Sequence, residues 1–126
     1  MAVPAGRYPV LRVDKATVVS APARIDEGNA DDFLACLLTV IRDGAAALIV
    51  DMTATTLCDS AGANALIEAR AQARASGAGM RLAASRPAVR RVLRSTGADR
   101  LITTDPSVPE SLMGELAPQP SSKTGG

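Results

Sequence analysis

The chain has 126 residues, a formal net charge of +1, no histidine, one tyrosine and one phenylalanine. This length suits a single domain whose core is built from aliphatic side chains. The near-zero charge argues against nucleic acid as the main partner, because phosphate neutralisation dominates that kind of binding. No signal-peptide pattern opens the chain, and no apolar run approaches the roughly 18 residues of a membrane span. We therefore expect a cytoplasmic protein that makes no membrane contact.

The first predicted elements are two short strands. Residues 1–9, with two prolines and a glycine, read as a flexible arm. The β-branched runs at 10–13 and 16–21 predict a hairpin or two strands near a sheet edge. Pro22 ends the second strand, because proline cannot donate to the ladder.

A helix is predicted next. Asn29 is a candidate N-cap, and Asp31 and Asp32 fall in the first turn, where the helix dipole favours negative charge. Gly44 stands where a residue just beyond the C-terminus is expected. Apolar residues recur at three- and four-residue spacing and form one stripe: Phe33, Leu34, Leu37, Leu38 and Ile41.

Strands and helices alternate through the rest of the chain. We predict strands at 45–52, 80–85 and 100–103, and helices at 61–76, 86–97 and 105–116, with Pro87 in the first turn of the second helix and Asp105 at the start of the third. Residues 117–126 are expected to be disordered. The alternation predicts an α/β single domain over residues 10–116, with a mostly parallel central sheet of four to five strands and about four helices.

The junction Asp59-Ser60-Ala61-Gly62 lies between a buried strand and a helix and admits three interpretations. Asp59 or Ser60 could be a plain helix cap. Ser60 could be a nucleophile, but the chain has no histidine to act as its base, and its only lysines are Lys15 and Lys123. Ser60 could instead be phosphorylated, since a helix N-terminus stabilises phosphate.

The stretch from Ala47 to Ile102 resembles the STAS domain, the module of anti-sigma factor antagonists and of sulphate transporter tails. Three pieces carry the resemblance: the strand ending Val50-Asp51, the motif Asp59-Ser60-Ala61-Gly62, and "PAVRRVLRSTGADRLI". It implies that an anti-sigma factor serine kinase phosphorylates Ser60 and that a serine phosphatase reverses this modification. The implied docking surface comprises Asp26, Asp59, Ser60, Ala61, Gly62, Ala63 and Asn64.

The chain departs from the family pattern at several of these positions. Ala61 replaces the second hydroxyl of the motif, which leaves Ser60 as its only acceptor. The turn before Asp26 lacks the usual glycine, and Ala63 replaces a commonly larger residue. An unphosphorylated STAS module that binds nucleotide or accompanies a transporter therefore remains an alternative. An enzyme is not expected, and neither is a metal or a cofactor; a monomer or weak dimer is.

Two further groups of residues leave alternatives open. Cys36 and Cys58 lie among apolar neighbours and favour a structural role over a redox switch. Arginines are frequent in the last third of the domain and form either a solvated helix face or a docking site for an acidic partner: Arg81, Arg86, Arg90, Arg91, Arg94 and Arg100.

Overall fold

A computed structural model describes residues 8–116. These residues contain seven strands: β1 Val10–Val13, β2 Ala16–Ser20, β3 Arg24–Ile25, β4 Ala47–Asp51, β5 Leu57–Cys58, β6 Gly79–Ala83 and β7 Thr103–Asp105. The described part of the chain also has five helices: α1 Ala30–Arg42, α2 Ser60–Ala75, α3 Pro87–Ser95, α4 Ala98–Leu101 and α5 Val108–Leu116. The predicted C-terminal tail and most of the predicted arm lie outside the described residues.

Five strands form the central sheet in the order β1-β2-β4-β6-β7. β1 and β2 are an antiparallel hairpin, turned by Asp14 with φ 56°, and every other pairing is parallel. The predicted α/β class with a mostly parallel sheet is confirmed. Because β2, β4 and β6 are parallel, their carboxyl ends share one edge of the sheet, and the helices that follow them begin there.

The two faces of the sheet are covered differently. On one face, Val19, Leu48, Val50 and Leu82 join side chains of α1, α2 and α3 in the main core cluster. On the other face, β2 and β4 form a smaller cluster against which Val108 and Leu112 of α5 pack. The main core also contains both aromatic residues: Tyr8, within the predicted arm, is buried edge-on against Phe33, with ring centroids 5.1 Å apart.

The largest difference from prediction is a second, two-stranded sheet. β3 and β5 pair in parallel, with Arg24 opposite Leu57 and Ile25 opposite Cys58. Strands of two residues carry no periodic signal, and their partners are more than thirty residues apart in the chain, so the sequence pattern did not reveal them.

The predicted end of the domain was wrong in two details. The strand expected at 100–103 is largely the short helix α4, and β7 starts only at Thr103. Asp105 ends β7 and does not start a helix. Its carboxylate accepts hydrogen bonds from Ser111 at 2.8 Å and from Arg81 at 3.2 Å, while the Oγ of Ser107 accepts from the N–H of Glu110 in the first turn of α5.

Candidate phosphoacceptor site

Ser60 is the first residue of α2 and lies at the edge of the central sheet where β2, β4 and β6 end. The loop between β4 and β5 is held by hydrogen bonds to the segment before β3. The hydroxyl of Thr55 donates to the carbonyl of Pro22 at 2.9 Å, and the N–H of Thr56 donates to the carbonyl of Ala23 at 2.8 Å. These bonds and the β3–β5 pair set where α2 begins.

Asp59, and not Ser60, caps the helix. Asp59 is extended, with φ −99° and ψ −174°, and its Oδ1 accepts a hydrogen bond from the N–H of Gly62 at 3.0 Å. Ser60 is exposed, and its hydroxyl makes no hydrogen bond to any residue that the structure describes. The sequence left open whether Asp59 or Ser60 caps the helix. In the structure Asp59 is the cap, and the hydroxyl of Ser60 next to it is accessible.

We expect Asp59→Ala to lower the free energy of unfolding by about 1 kcal/mol, the usual cost of losing an N-cap. Asp59→Asn should retain most of this stability, because the amide oxygen can still accept from Gly62 and only the charge is lost. Urea unfolding followed by circular dichroism measures both changes. An alanine variant as stable as the wild type would contradict the capping role.

Gly62 is needed for a close approach between α2 and the β3–β5 pair, not for a turn. An added Cβ would lie 2.7 Å from Cγ2 of Ile25 and 3.0 Å from Sγ of Cys58. Gly62 lies within α2 and has no positive φ, so its backbone conformation does not require glycine. The absence of a side chain lets the first turn of α2 pack directly on Ile25.

Asp26 is brought beside the junction by the β3–β5 pair, in which the N–H of Asp59 donates to the carbonyl of Ile25 at 3.0 Å. The turn closes without the family's glycine: the Oδ1 of Asp26 accepts from the N–H of Gly28 at 2.9 Å, and the N–H of Asp26 donates to Oδ1 of Asn29 at 3.0 Å. Asn29 occupies the N-cap position of α1 as predicted, but its side chain bonds back to this turn and does not cap the helix.

The predicted docking residues divide by exposure. Ser60 and Asn64 are exposed, and Asp26, Asp59 and Ala61 are half-buried. Gly62 and Ala63 are buried, Ala63 fully so. The methyl group of Ala63 therefore faces the core. Having alanine at this position in place of a larger residue reduces the packing of α2 on the core and does not change the surface that a partner could contact.

An acidic groove runs beside Ser60 between α1 and α2. It has a volume of about 340 Å³, and its lining includes Glu27, Asp31 and Glu68 as well as Ala61 and Asn64. No arginine or lysine is among its lining residues. Sequence reasoning treated Asp31 only as a helix-dipole residue and missed the groove, because its carboxylates come from separate segments that only the packing of α1 on α2 brings together.

Cys36 and Cys58 are both buried and reduced. Burial raises the pKa of the Cys36 thiol. Burial, together with the negative charge of Asp59, raises the pKa of Cys58 from its ordinary value of 9.0 to about 11. A thiol held in its neutral form is a poor nucleophile, so the structural role of both cysteines is favoured over a redox role.

The raised pKa of Cys58 predicts a loss of stability at high pH. The stabilisation that goes with a neutral buried thiol is fully present below pH 9.0, where the unfolded thiol is protonated as well, and is lost as the pH rises to about 11. We expect the wild type to lose up to about 2 kcal/mol more between these limits than Cys58→Ala does. Urea unfolding at several pH values measures the difference, and identical pH profiles would contradict the prediction.

The described residues offer no lysine near Ser60. Lys15 lies in the turn of the β1–β2 hairpin, next to the amino end of β2 and hence at the opposite edge of the sheet. Among residues 8–116, no three side chains of the metal-binding types cluster as a site. None of the helices described is long and apolar enough to cross a membrane.

Comparison with known proteins places this arrangement in a family. The STAS domain model matches residues 8–111, and the chain belongs to the STAS domain family. A comparison with curated protein sequences gave no match.

Several solved structures share the fold. An anti-sigma factor antagonist from Mycobacterium paratuberculosis is 27% identical, with a TM-score of 0.76 over 85% of this chain and 91% of that chain. A serine-to-glutamate variant of RsbS from Moorella thermoacetica is also 27% identical, with a TM-score of 0.72 over 86% of this chain and 93% of that chain. The phosphorylated form of the Bacillus cell fate determinant SpoIIAA is 17% identical, with a TM-score of 0.65 over 86% of this chain and 98% of that chain. The structural neighbours thus include anti-sigma factor antagonists.

Proposed function

We propose that this protein is an anti-sigma factor antagonist that binds an anti-sigma serine kinase and is switched off when that kinase phosphorylates Ser60. A serine phosphatase restores the binding form. The protein acts in the cytoplasm as a monomer or weak dimer and uses no cofactor. It serves as a regulatory partner and as the kinase's substrate, and does not itself act as an enzyme.

The accessibility of the Ser60 hydroxyl is the observation that carries this proposal. Asp59 satisfies the N–H of Gly62, so phosphorylation of Ser60 would break no helix cap. The phosphate would stand at the positive end of the sixteen-residue helix α2, where the dipole and free N–H groups stabilise negative charge. The fold can therefore carry either form of Ser60, as a reversible switch requires.

The surroundings of Ser60 support a change in binding. The groove beside it already contains three carboxylates, from Glu27, Asp31 and Glu68. A phosphate would add about two negative charges to this acidic region. A partner surface that fits closely over the neutral hydroxyl would then have to cover and desolvate a doubly charged group, which is costly.

The alternative of a nucleotide-binding module finds less support. Nucleotide phosphates need cations or backbone N–H groups, whereas the groove next to Ser60 presents carboxylates to its interior. Binding of a nucleotide to the purified, unphosphorylated protein, or its co-purification with a transporter, would favour that alternative.

Transfer of labelled phosphate from ATP by the host's anti-sigma kinase tests the proposal. We expect the wild type to incorporate label at Ser60, located by peptide mapping, and Ser60→Ala to incorporate none. Thr56→Ala is the matched control, because Thr56 is also exposed and lies four residues earlier. Equal labelling of wild type and Ser60→Ala would refute the assignment of the switch to Ser60.

A further inference from the structure

The face of α3 is densely and uniformly basic. Arg90, Arg91 and Arg94 lie on the helix and Arg86 at its N-cap position, and no acidic residue occurs between Pro87 and Ser95. By contrast, α1 carries Asp31 and Asp32 in its first turn and Arg42 in its last.

Only part of this charge is used by the fold. Arg90 is half-buried and donates from Nη1 to the carbonyl of Ala84 at 2.7 Å. Arg81 lies outside the group, because its salt bridge to Asp105 at 3.2 Å is on the sheet face that α5 covers. The predicted cluster of six arginines is therefore divided between two faces of the molecule.

Of the other four, Arg100 is exposed and lies on α4. The three that belong to α3 or its N-cap, Arg86, Arg91 and Arg94, are exposed and have no hydrogen bond or salt bridge to any residue that the structure describes. We call them the α3 arginine face. An ordinary solvated helix would intersperse acidic residues four positions away, which support the helix.

The arrangement is unfavourable for the helix itself. Arg86 stands at the positive end of the dipole, and Arg86, Arg90 and Arg94 follow one another at four-residue spacing, where like charges repel. An exposed surface that is unfavourable both for the helix dipole and for charge spacing indicates that these arginines serve binding to a partner and not the stability of the fold.

The α3 arginine face borders the phosphoacceptor site. α3 follows β6 and begins at the same edge of the sheet as α2, and it packs against β5. Leu57 of β5, three residues before Ser60, is 40% exposed and is one of the few large apolar side chains at the surface. The surface around Ser60 is thus acidic on the side of α1 and basic on the side of α3.

We propose that the α3 arginine face is a second docking region for the anti-sigma kinase and that it receives an acidic surface of that kinase; the identity of this partner rests on the proposed function. Opposite charges on the two sides of Ser60 would accept a partner in one orientation only. Charges of this kind accelerate association more than they slow dissociation.

The association rate of the kinase with full-length variants tests the proposal. For Arg91→Glu combined with Arg94→Glu, we expect a fall of about tenfold or more at about 0.05 M NaCl, a dissociation rate changed less than about threefold, and a much smaller effect at about 0.5 M NaCl. The matched control is Arg42→Glu combined with Arg74→Glu, two exposed last-turn arginines elsewhere on the domain. Equal effects in both pairs, or none in the first, would overturn the proposal.

Two readouts separate this proposal from the proposed function. Phosphate transfer to Ser60 reports on the function, and its absence in wild type would refute that function alone. The docking region is then judged with a fluorescein-labelled, glutamate-rich peptide, whose binding we expect the α3 variant to lose and the control pair to keep. Equal loss in both pairs, or tighter binding of a DNA duplex than of the peptide, would overturn the acidic protein surface as the ligand.

Discussion

Phosphorylation of Ser60 is expected to weaken kinase binding about 100-fold or more, a loss of roughly 3 kcal/mol or more. In the unmodified protein the hydroxyl is neutral and exposed, so a partner can cover it at little cost. In the modified protein a partner would have to cover about two charges next to Asp59 and the acidic groove.

The measurement compares three forms of the protein by calorimetry or surface plasmon resonance: unmodified, enzymatically phosphorylated, and Ser60→Ala. We expect Ser60→Ala to bind as the unmodified protein does and to unfold with a free energy within about 0.5 kcal/mol of it, because an exposed hydroxyl without protein partners contributes little. If the phosphorylated protein bound the kinase as tightly as the unmodified form does, phosphorylation of Ser60 would not be the switch. A phosphorylated form that no longer folds would show instead that the site is structural.

Gly62→Ala is expected to lower the free energy of unfolding by about 1–3 kcal/mol, the usual cost of overpacking. The added methyl group would meet Ile25 at 2.7 Å and Cys58 at 3.0 Å, and Ile25 is fully buried and cannot move aside freely. Helix propensity alone favours alanine over glycine by about 1 kcal/mol, so it predicts the opposite sign.

Ala71→Gly provides the control for Gly62→Ala. Ala71 lies on the exposed side of the same helix, so this change measures the propensity difference without a packing contact. Chemical unfolding of both variants then isolates the cost of the contact with Ile25. We also expect less phosphate transfer to Ser60 in Gly62→Ala, because the clash shifts the first turn of α2. A Gly62→Ala protein more stable than wild type would show that the close approach does not exist.

Long elements were predictable from the sequence and short ones were not. Helix α1 is predicted by the apolar stripe from Phe33 to Ile41, and strand β4 by the apolar run Leu48, Ile49 and Val50. An element of this length repeats its apolar pattern because it covers a core, and the repeat is visible in the sequence. β3 and β5 have two residues each and exist because Ile25 and Cys58 meet across a distant stretch of chain. No local pattern in the sequence indicates such a long-range contact.

The sequence-based predictions were wrong for polar side chains whose partners are far away along the chain. Asp105 has the local character of a helix cap, yet its carboxylate binds Arg81, which is twenty-four residues away, and Ser111. Arg81 in turn was grouped with arginines that prove to lie on a different face. Sequence spacing places a residue on an element, but the packing of elements decides which charge it meets.

The sequence by itself determined the α/β class, the start of a helix near Ser60 and the absence of a histidine that could activate that serine. Which of the two adjacent polar residues caps the helix was decided only by the tertiary structure. The pairing of Asp59 with Ile25 holds its backbone extended and directs the carboxylate to Gly62, and this leaves the hydroxyl of Ser60 exposed. Local propensity is nearly equal for aspartate and serine at an N-cap, so a contact between distant segments makes the choice.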